Sequence, residues 1–373
     1  MSKVAGEQIS KFLKKKLNDL KNEFGENSYE YTSLARQYLF DKRETEVDYK
    51  SERRRHYEAD LTADSSGHVL TGVERLYRRC AVFELTTACK TRCRWCLRAN
   101  YNPFTLKKDE IENAARYFGS EANRDELKEL LITGGDPLIV PDLLNDALEC
   151  IQKYAPNIRI IRIGTRLPVQ DPDMVFSDKL AHALRRRDGM RLEIGTQINS
   201  PVELFPESVA AYHKLQEYAE RIYNQQVLLK GVNDALEPLV QLYEKMRDIG
   251  IEPHYMFHCV PLHGMEHHRT TVEEGLDLIK SLVTSGYISG RSKPMYTAMT
   301  DIGKITFYEG VFVDRKGDMF LLQSRYRYED RMKWNPDWKM PESAEVDENG
   351  YLRVWYKDAK THNKGWESTY IME

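Results

Sequence analysis

The sequence predicts an α/β protein. Its core is a partial, TIM-like (β/α)6 barrel, with a helical N-terminal extension and a small C-terminal cap. Three observations carry this reading. From about residue 81, short apolar runs alternate with helical stretches six times over. Each run ends in a polar or glycine-rich turn. The residues able to do chemistry gather in those turns, at the carboxyl ends of the runs. Such alternation implies a parallel sheet with helices on its outer face, and barrel chemistry sits at the C-terminal ends of the strands.

Residues 1–80 are charged and helix-prone, as in Lys11-Phe12-Leu13-Lys14-Lys15-Lys16-Leu17, and are read as a helical extension. The basic blocks Lys14-Lys15-Lys16 and Arg53-Arg54-Arg55 are read as solvated helix faces. The barrel is assigned to 81–300. Its first run, 81–87, leads into a cysteine-bearing loop. Leu130-Leu131-Ile132-Thr133 ends at Gly134-Gly135-Asp136-Pro137, and Ile158-Arg159-Ile160-Ile161-Arg162-Ile163 ends at Gly164-Thr165-Arg166. Arg191-Leu192-Glu193-Ile194 ends at Gly195-Thr196-Gln197, and Gln226-Val227-Leu228-Leu229 at Lys230-Gly231-Val232-Asn233. His254-Tyr255-Met256-Phe257-His258 ends at Cys259-Val260. After about residue 290 the rhythm stops. Residues 301–373, rich in Tyr, Trp and charge, are read as a small extension containing strands.

A chain of 373 residues suits one large α/β domain plus extensions. The net charge of −3 gives no global basic field and argues against nucleic acid as a partner. No apolar run approaches the ~20 residues of a membrane span. The amino terminus lacks the apolar segment of a secretory signal. Six cysteines without an export signal fit a reducing, cytoplasmic compartment.

Cys89, Cys93 and Cys96 form a C-x3-C-x2-C pattern on one short loop. Three thiolates so placed can hold three irons of a [4Fe-4S] cube and leave the fourth iron open, where S-adenosylmethionine (SAM) is the usual small molecule. Structural zinc sites usually bring paired C-x2-C knuckles, and a ferredoxin-like electron carrier needs four cysteines per cluster. Gly134, Gly135 and Asp136 stand at the end of the next strand, where glycines permit close backbone approach and offer amide donors. Trp95, inside the cysteine loop, is placed to lie against an adenine or to pack beneath the loop.

The cysteine spacing resembles that of the radical SAM enzymes. Thr133-Gly134-Gly135-Asp136-Pro137-Leu138, Gly164-Thr165-Arg166-Leu167-Pro168-Val169, the segment 224–234 containing Gln225, and His268-Arg269-Thr270-Thr271-Val272-Glu273-Glu274-Gly275 resemble the lysine 2,3-aminomutase family within them. The resemblance covers about residues 75–305. It implies that a 5′-deoxyadenosyl radical takes hydrogen from an amino acid or amine held on pyridoxal phosphate (PLP), whose amino group then moves from Cα to Cβ. It further implies that the Gly-Gly-Asp motif binds the methionine amino group, with Asp136 complementing that ammonium. Thr165, Arg166, Gln197 and Gln225 would join the cofactor site. Arg98 would pair with the substrate carboxylate through its guanidinium fork, and Lys304 would hold PLP. Arg75 and Arg79, with Arg78, lie where the family places arginines for the PLP phosphate.

This sequence also departs from the family. The loop before Lys304 lacks the family's glycine run, which leaves open a PLP-independent mutase, epimerase or dehydrogenase on the same scaffold. Val260 stands where lysine-specific members carry Asp for the substrate ammonium. A buried ammonium without an anion is costly, so a substrate other than lysine is expected. A reductase or flavodoxin would deliver the electron, and the N-terminal arm could support a homo-oligomer. His254, His258, His263, His267 and His268 are close in sequence, but their spacing matches no known ligand pattern; no second metal is expected.

Overall fold

The computed structural model describes residues 6–45, 61–64, 66–100, 103–262, 264–308 and 310–359. Ten strands form one sheet in chain order: β1 (Leu61–Ala63), β2 (Val69–Glu74), β3 (Cys80–Thr86), β4 (Glu129–Gly134), β5 (Ile160–Thr165), β6 (Arg191–Thr196), β7 (Arg221–Leu228), β8 (Glu252–His258), β9 (Met295–Thr300) and β10 (Gly303–Thr306). Strands β3 to β9 run parallel, while β1, β2 and β10 pair antiparallel at the two sides.

Strand periodicity sorts each run into two faces. Ala81, Phe83 and Leu85 of β3, Leu130 and Ile132 of β4, and Ile161 and Ile163 of β5 are fully buried against helices. Cys80, Val82, Leu131, Thr133, Arg162 and Gly164, the alternate positions, line a central cavity together with residues of every strand from β6 to β10. One cavity touched by so many consecutive strands requires a sheet curled around it, which is a partial barrel.

The covering helices follow from sequence spacing. In α3 (Lys108–Phe118) the buried set is Ile111, Ala114, Ala115 and Phe118. In α4 (Pro141–Tyr154) it is Leu144, Ala147, Leu148 and Ile151, and in α8 (Leu236–Asp248) it is Leu239, Leu242, Tyr243 and Met246. All three sets share the i, i+3, i+4, i+7 spacing that makes one stripe on a helix. Phe118 meets Phe83 edge-on at 5.3 Å. Burying each large side chain stabilises the packing by about 1.5–3 kcal/mol. The other crossovers are α5 (Leu167–Gln170), α6 (Asp178–Ala183), α7 (Pro206–Gln216) and α9 (Val272–Thr284).

Two boundaries differ from the sequence reading. The expected helical extension over 1–80 contains α1 (Lys11–Phe24) and α2 (Tyr29–Tyr38), but residues 61–74 add β1 and β2 to the main sheet. The reason lies in β2: Leu70 and Val73 are buried, and a Cβ on Gly72, at φ +78°, would collide with the Glu84 carbonyl oxygen. The barrel rhythm also continues past 290, because β9 is a seventh parallel strand and β10 a hairpin partner that lies beyond the expected boundary at 300. The C-terminal part is a separate sheet in the order β11 (Phe312–Lys316), β12 (Met319–Arg327), β14 (Tyr351–Lys357), β13 (Ala344–Val346), with α10 (Tyr328–Trp334) beside it. Lys14 and Lys15 are exposed, whereas Arg53, Arg54 and Arg55 lie outside the described residues. No helix among the described residues is long and apolar enough to cross a membrane.

Candidate active site

The cavity measures about 690 Å³ and opens at the carboxyl ends of the strands. Its rim is the loop after β3. That loop is held from below by β4: the amides of Gly135 and Asp136 donate to the carbonyls of Thr86 and Ala88. A Cβ on Gly134, at φ +111°, would strike the Thr86 carbonyl, and one on Gly135 would strike that of Ala88. The paired glycines therefore admit the cysteine loop, a closer neighbour than the ligand expected from sequence. From above, the N-terminal arm grips the same backbone. Gln8 Nε2 donates to the Cys89 carbonyl at 2.6 Å, and the Arg92 amide donates to the Gln8 carbonyl at 2.8 Å. The Arg94 amide donates to the Gln37 carbonyl at 3.1 Å, and the Arg94 guanidinium pairs with buried Glu44.

Cys89, Cys93 and Cys96 all line the cavity. Burial pushes the Cys89 thiol far up, reinforced by Cys96 and Asp136, and pushes Cys93 up to about 11 against the pull of Arg166. Iron would displace those protons, since thiolate is the ligating form. Three soft sulfur donors on one short loop, with a guanidinium directed at one of them, are a donor set that fits a [4Fe-4S] cluster.

Arg166 is the hub of the rim and is 8% exposed. Its Nη1 donates to Cys93 Sγ at 2.7 Å, Nε to the Gln197 carbonyl at 2.9 Å, and Nη2 to Gln37 Oε1 at 3.0 Å and to Glu203. Its guanidinium lies over the rings of Tyr38 and Trp95. Desolvation opposes its charge, but Cys93, Tyr38 and Glu203 more than offset this. Asp136, 3% exposed, accepts from Thr165 Oγ1 at 2.8 Å and from the amides of Arg166 and Leu138 at 2.9 and 3.1 Å. Its carboxylate thus clamps β4 to β5, so the ammonium partnership expected of it is replaced by bonds within the protein. Desolvation pushes its pKa up, against those same bonds. Trp95 packs with Val227, Leu229, Val232 and Cys259 beneath the loop while still lining the cavity.

Gln197, Gln225, Arg98 and Lys304 also face the cavity. Gly195 leaves room for the Gln225 amide, which would have to shift for a Cβ there. Arg98 pairs with buried Glu84. Lys304 extends its Nζ over the rings of Tyr255 and Phe257, at 5.0 and 5.7 Å.

Two expected residues are elsewhere. Arg75 is 1% exposed and bonds Asn123 and the Arg78 carbonyl, with Trp334 against its guanidinium. Arg79 pairs with Glu129 at 2.9 Å, at the amino end of β4. Neither lines the cavity, because the turn after β2 directs both away from it.

Sequence reasoning missed the cavity floor. Arg162 Nε donates to Tyr223 Oη at 3.1 Å, and its guanidinium lies 3.8 Å from Glu129 and 3.7 Å from Glu193. Tyr223 in turn donates to Glu193, whose pKa burial raises. His254, beside this network, is driven down to about 4 by burial and by the charges of Arg162 and Lys304. The signal was present: Arg162 and Glu193 each interrupt an otherwise apolar strand.

Residues 83–274 match the family model described as the Radical SAM superfamily. A provisionally named L-lysine 2,3-aminomutase of Aquifex aeolicus is 32% identical over 72% of this chain and 73% of its own length. The L-lysine 2,3-aminomutase of Methanococcus maripaludis is 31% identical over 72% of this chain and 61% of its own length. The glutamate 2,3-aminomutase of Clostridioides difficile is 29% identical over 68% of this chain and 59% of its own length. The chain thus spans between 59% and 73% of these relatives.

Proposed function

We propose, starting from the fact that this chain belongs to the radical SAM superfamily and, within it, to the L-lysine 2,3-aminomutase family, that it catalyses a 2,3-amino shift on an amino acid other than lysine. Cys89, Cys93 and Cys96 would hold the [4Fe-4S] cluster, and its open iron would take SAM. The observation that carries this reading is the convergence of those thiols, Gly134, Gly135, Thr165, Gln197, Gln225, Arg98 and Lys304 on one cavity. Held by these thiolates, a reduced cluster would supply one electron to SAM, giving methionine and the 5′-deoxyadenosyl radical; a reductase or flavodoxin in a reducing cytoplasm would restore that electron.

This chain's own residues do the rest. Arg98, held by Glu84, presents a cation for the substrate carboxylate. Trp95, Val227, Tyr255 and Phe257 give the cavity apolar walls that exclude water from a reactive radical. Val260 lines the cavity at the position of the lysine-specific Asp, leaving a substrate ammonium without its anion there.

PLP, when bound, supplies an electron-delocalising carrier for the amino group. Lys304, which lines the cavity with its Nζ over Tyr255, supports that reading, whereas Arg75 and Arg79, which do not line it, give no support for a phosphate site. That misplacement favours a second reading, a PLP-independent mutase, epimerase or dehydrogenase on the same scaffold.

With dithionite and SAM, the anaerobically reconstituted protein should form 5′-deoxyadenosine and methionine. An iron–sulfur carrier would not, and that result would overturn the enzyme assignment. Deuterium passing from one of a panel of labelled amino acids into 5′-deoxyadenosine would name the substrate. If PLP-loaded wild type shows a visible band that Lys304→Ala removes, the amino shift stands; absence of the band selects the second reading.

A further inference from the structure

Outside the cavity, the loop between β8 and α9 carries His267 and His268 against Glu44, at the end of the N-terminal arm. His268 is 2% exposed. Among the described residues, nothing bonds either ring nitrogen of His267 or of His268. Four buried imidazole nitrogens without partners carry a desolvation cost, and a ligand would remove part of it. One nitrogen from each histidine and one Glu44 carboxylate oxygen lie within 4.8 Å of one another. The Glu44 side chain is fully buried and oriented, because Arg94 Nε donates to its Oε1 at 2.9 Å and the Asp41 amide donates to the same oxygen at 3.2 Å. The approach of the two segments is tight: a Cβ on Gly264, at φ +78°, would strike the Glu44 carbonyl.

We propose that Glu44, His267 and His268 bind one divalent transition cation, zinc(II) by donor type, at a site separate from the iron–sulfur loop. Two imidazoles and a carboxylate are a common three-ligand zinc set, with water completing the tetrahedron; calcium and magnesium prefer all-oxygen sites. Arg94 is the outer partner that fixes the carboxylate. Of the nearby cations, Arg43 is paired with Asp41 at 2.6 Å and Arg94 with Glu44, which leaves Arg36 opposing the ion. The ion would tie the arm to the β8–α9 loop. It would also brace the cysteine loop from behind, because Arg94 lies between Cys93 and Trp95, and His268 meets Trp95 edge-on at 6.2 Å. The sequence concealed this site, since the carboxylate comes from the far end of the chain; His263, close by in sequence, lies outside the described residues.

The test is metal analysis of the full, iron-loaded protein, in which the cluster thiols are occupied. About one zinc per chain beyond the cluster iron is expected, exchangeable for cobalt(II) with a tetrahedral visible spectrum. His267→Gln/His268→Gln should lose the zinc and keep the iron. His268→Phe, which preserves the ring packing on Trp95, should weaken zinc uptake at least tenfold while the protein stays folded. Cys89→Ser/Cys93→Ser/Cys96→Ser should lose iron and retain zinc. The proposal is overturned if iron-loaded wild type takes up no stoichiometric zinc or cobalt, or if uptake is unchanged in the histidine double variant. It does not depend on the aminomutase reading, which is judged by SAM cleavage.

Discussion

The rim and the floor of the cavity use charge in opposite ways. At the rim, Arg166 and Asp136 are buried and engaged by protein partners on several sides. At the floor, Arg162 and Glu129 line the cavity and keep 19% and 21% of their side chains exposed, with Glu193 3.7 Å from Arg162. Fixed charge holds a structure still, whereas partly exposed charge is available to a ligand. The rim is therefore held rigid around the cysteine loop, whereas the floor keeps charge that a ligand could meet.

The largest expected effect is at the rim. Gly135→Ala puts a methyl into the Ala88 carbonyl, so the cysteine loop must move. Iron content after reconstitution should fall from about four per chain to below about one, while the far-ultraviolet dichroism stays near wild type; full iron loading would break the argument. Next is Arg166→Met. It leaves Glu203 buried without its cation, which costs about 3–5 kcal/mol, read as a lower urea midpoint. A loss under about 1 kcal/mol would show that the rim charges are not locked as described.

Arg162→Gln probes the floor. It should leave iron content and SAM cleavage intact but raise the KM for substrate about 10–100-fold, the worth of a hydrogen bond to a charged group. Equal loss of SAM cleavage would merge floor and rim into one unit. The smallest effect concerns pH. His254 sits near 4 in the fold against an ordinary 6.5, so the unfolded chain takes up its proton first. Its contribution to stability is present above about 6.5 and is lost as the pH falls through 4. His254→Gln should flatten that acid-side decline in urea midpoints. In Arg162→Gln, the His254 titration followed by NMR should move upward, because one of the charges depressing it is gone.

How much was legible follows the same division. The rim is written in contiguous residues: the cysteine spacing, Gly134-Gly135-Asp136 and Gly164-Thr165-Arg166 can be read along the chain. The six expected runs correspond to β3 through β8. The partners that complete the rim were not legible, because Gln37 and Glu203 reach Arg166 across 129 and 37 residues. The floor draws one residue from each of several strands; each shows only as a charge between apolar neighbours, and nothing local says that they meet. β9 escaped notice because Met295-Tyr296-Thr297-Ala298-Met299-Thr300 lacks the branched aliphatic residues that mark a buried strand. Arg75 and Arg79 are expected in the site only by resemblance to the family, and position along a chain does not say which way a side chain points.

The grip of the arm on the cysteine loop bears on how the enzyme matures. Residues 6–45 leave the ribosome before the loop they cover, but their moorings are made later: Ser10 bonds the Gln170 carbonyl, Tyr38 reaches Glu203 at 3.4 Å, and Phe12 packs on Phe205. Until about residue 207 has emerged, the strap has only the cysteine loop itself and Gln170 to hold. Once it fastens, the loop backbone is enclosed from both sides. The three thiols still face the cavity once the strap is fastened, so synthesis completes the frame of the loop and leaves its sulfur side open.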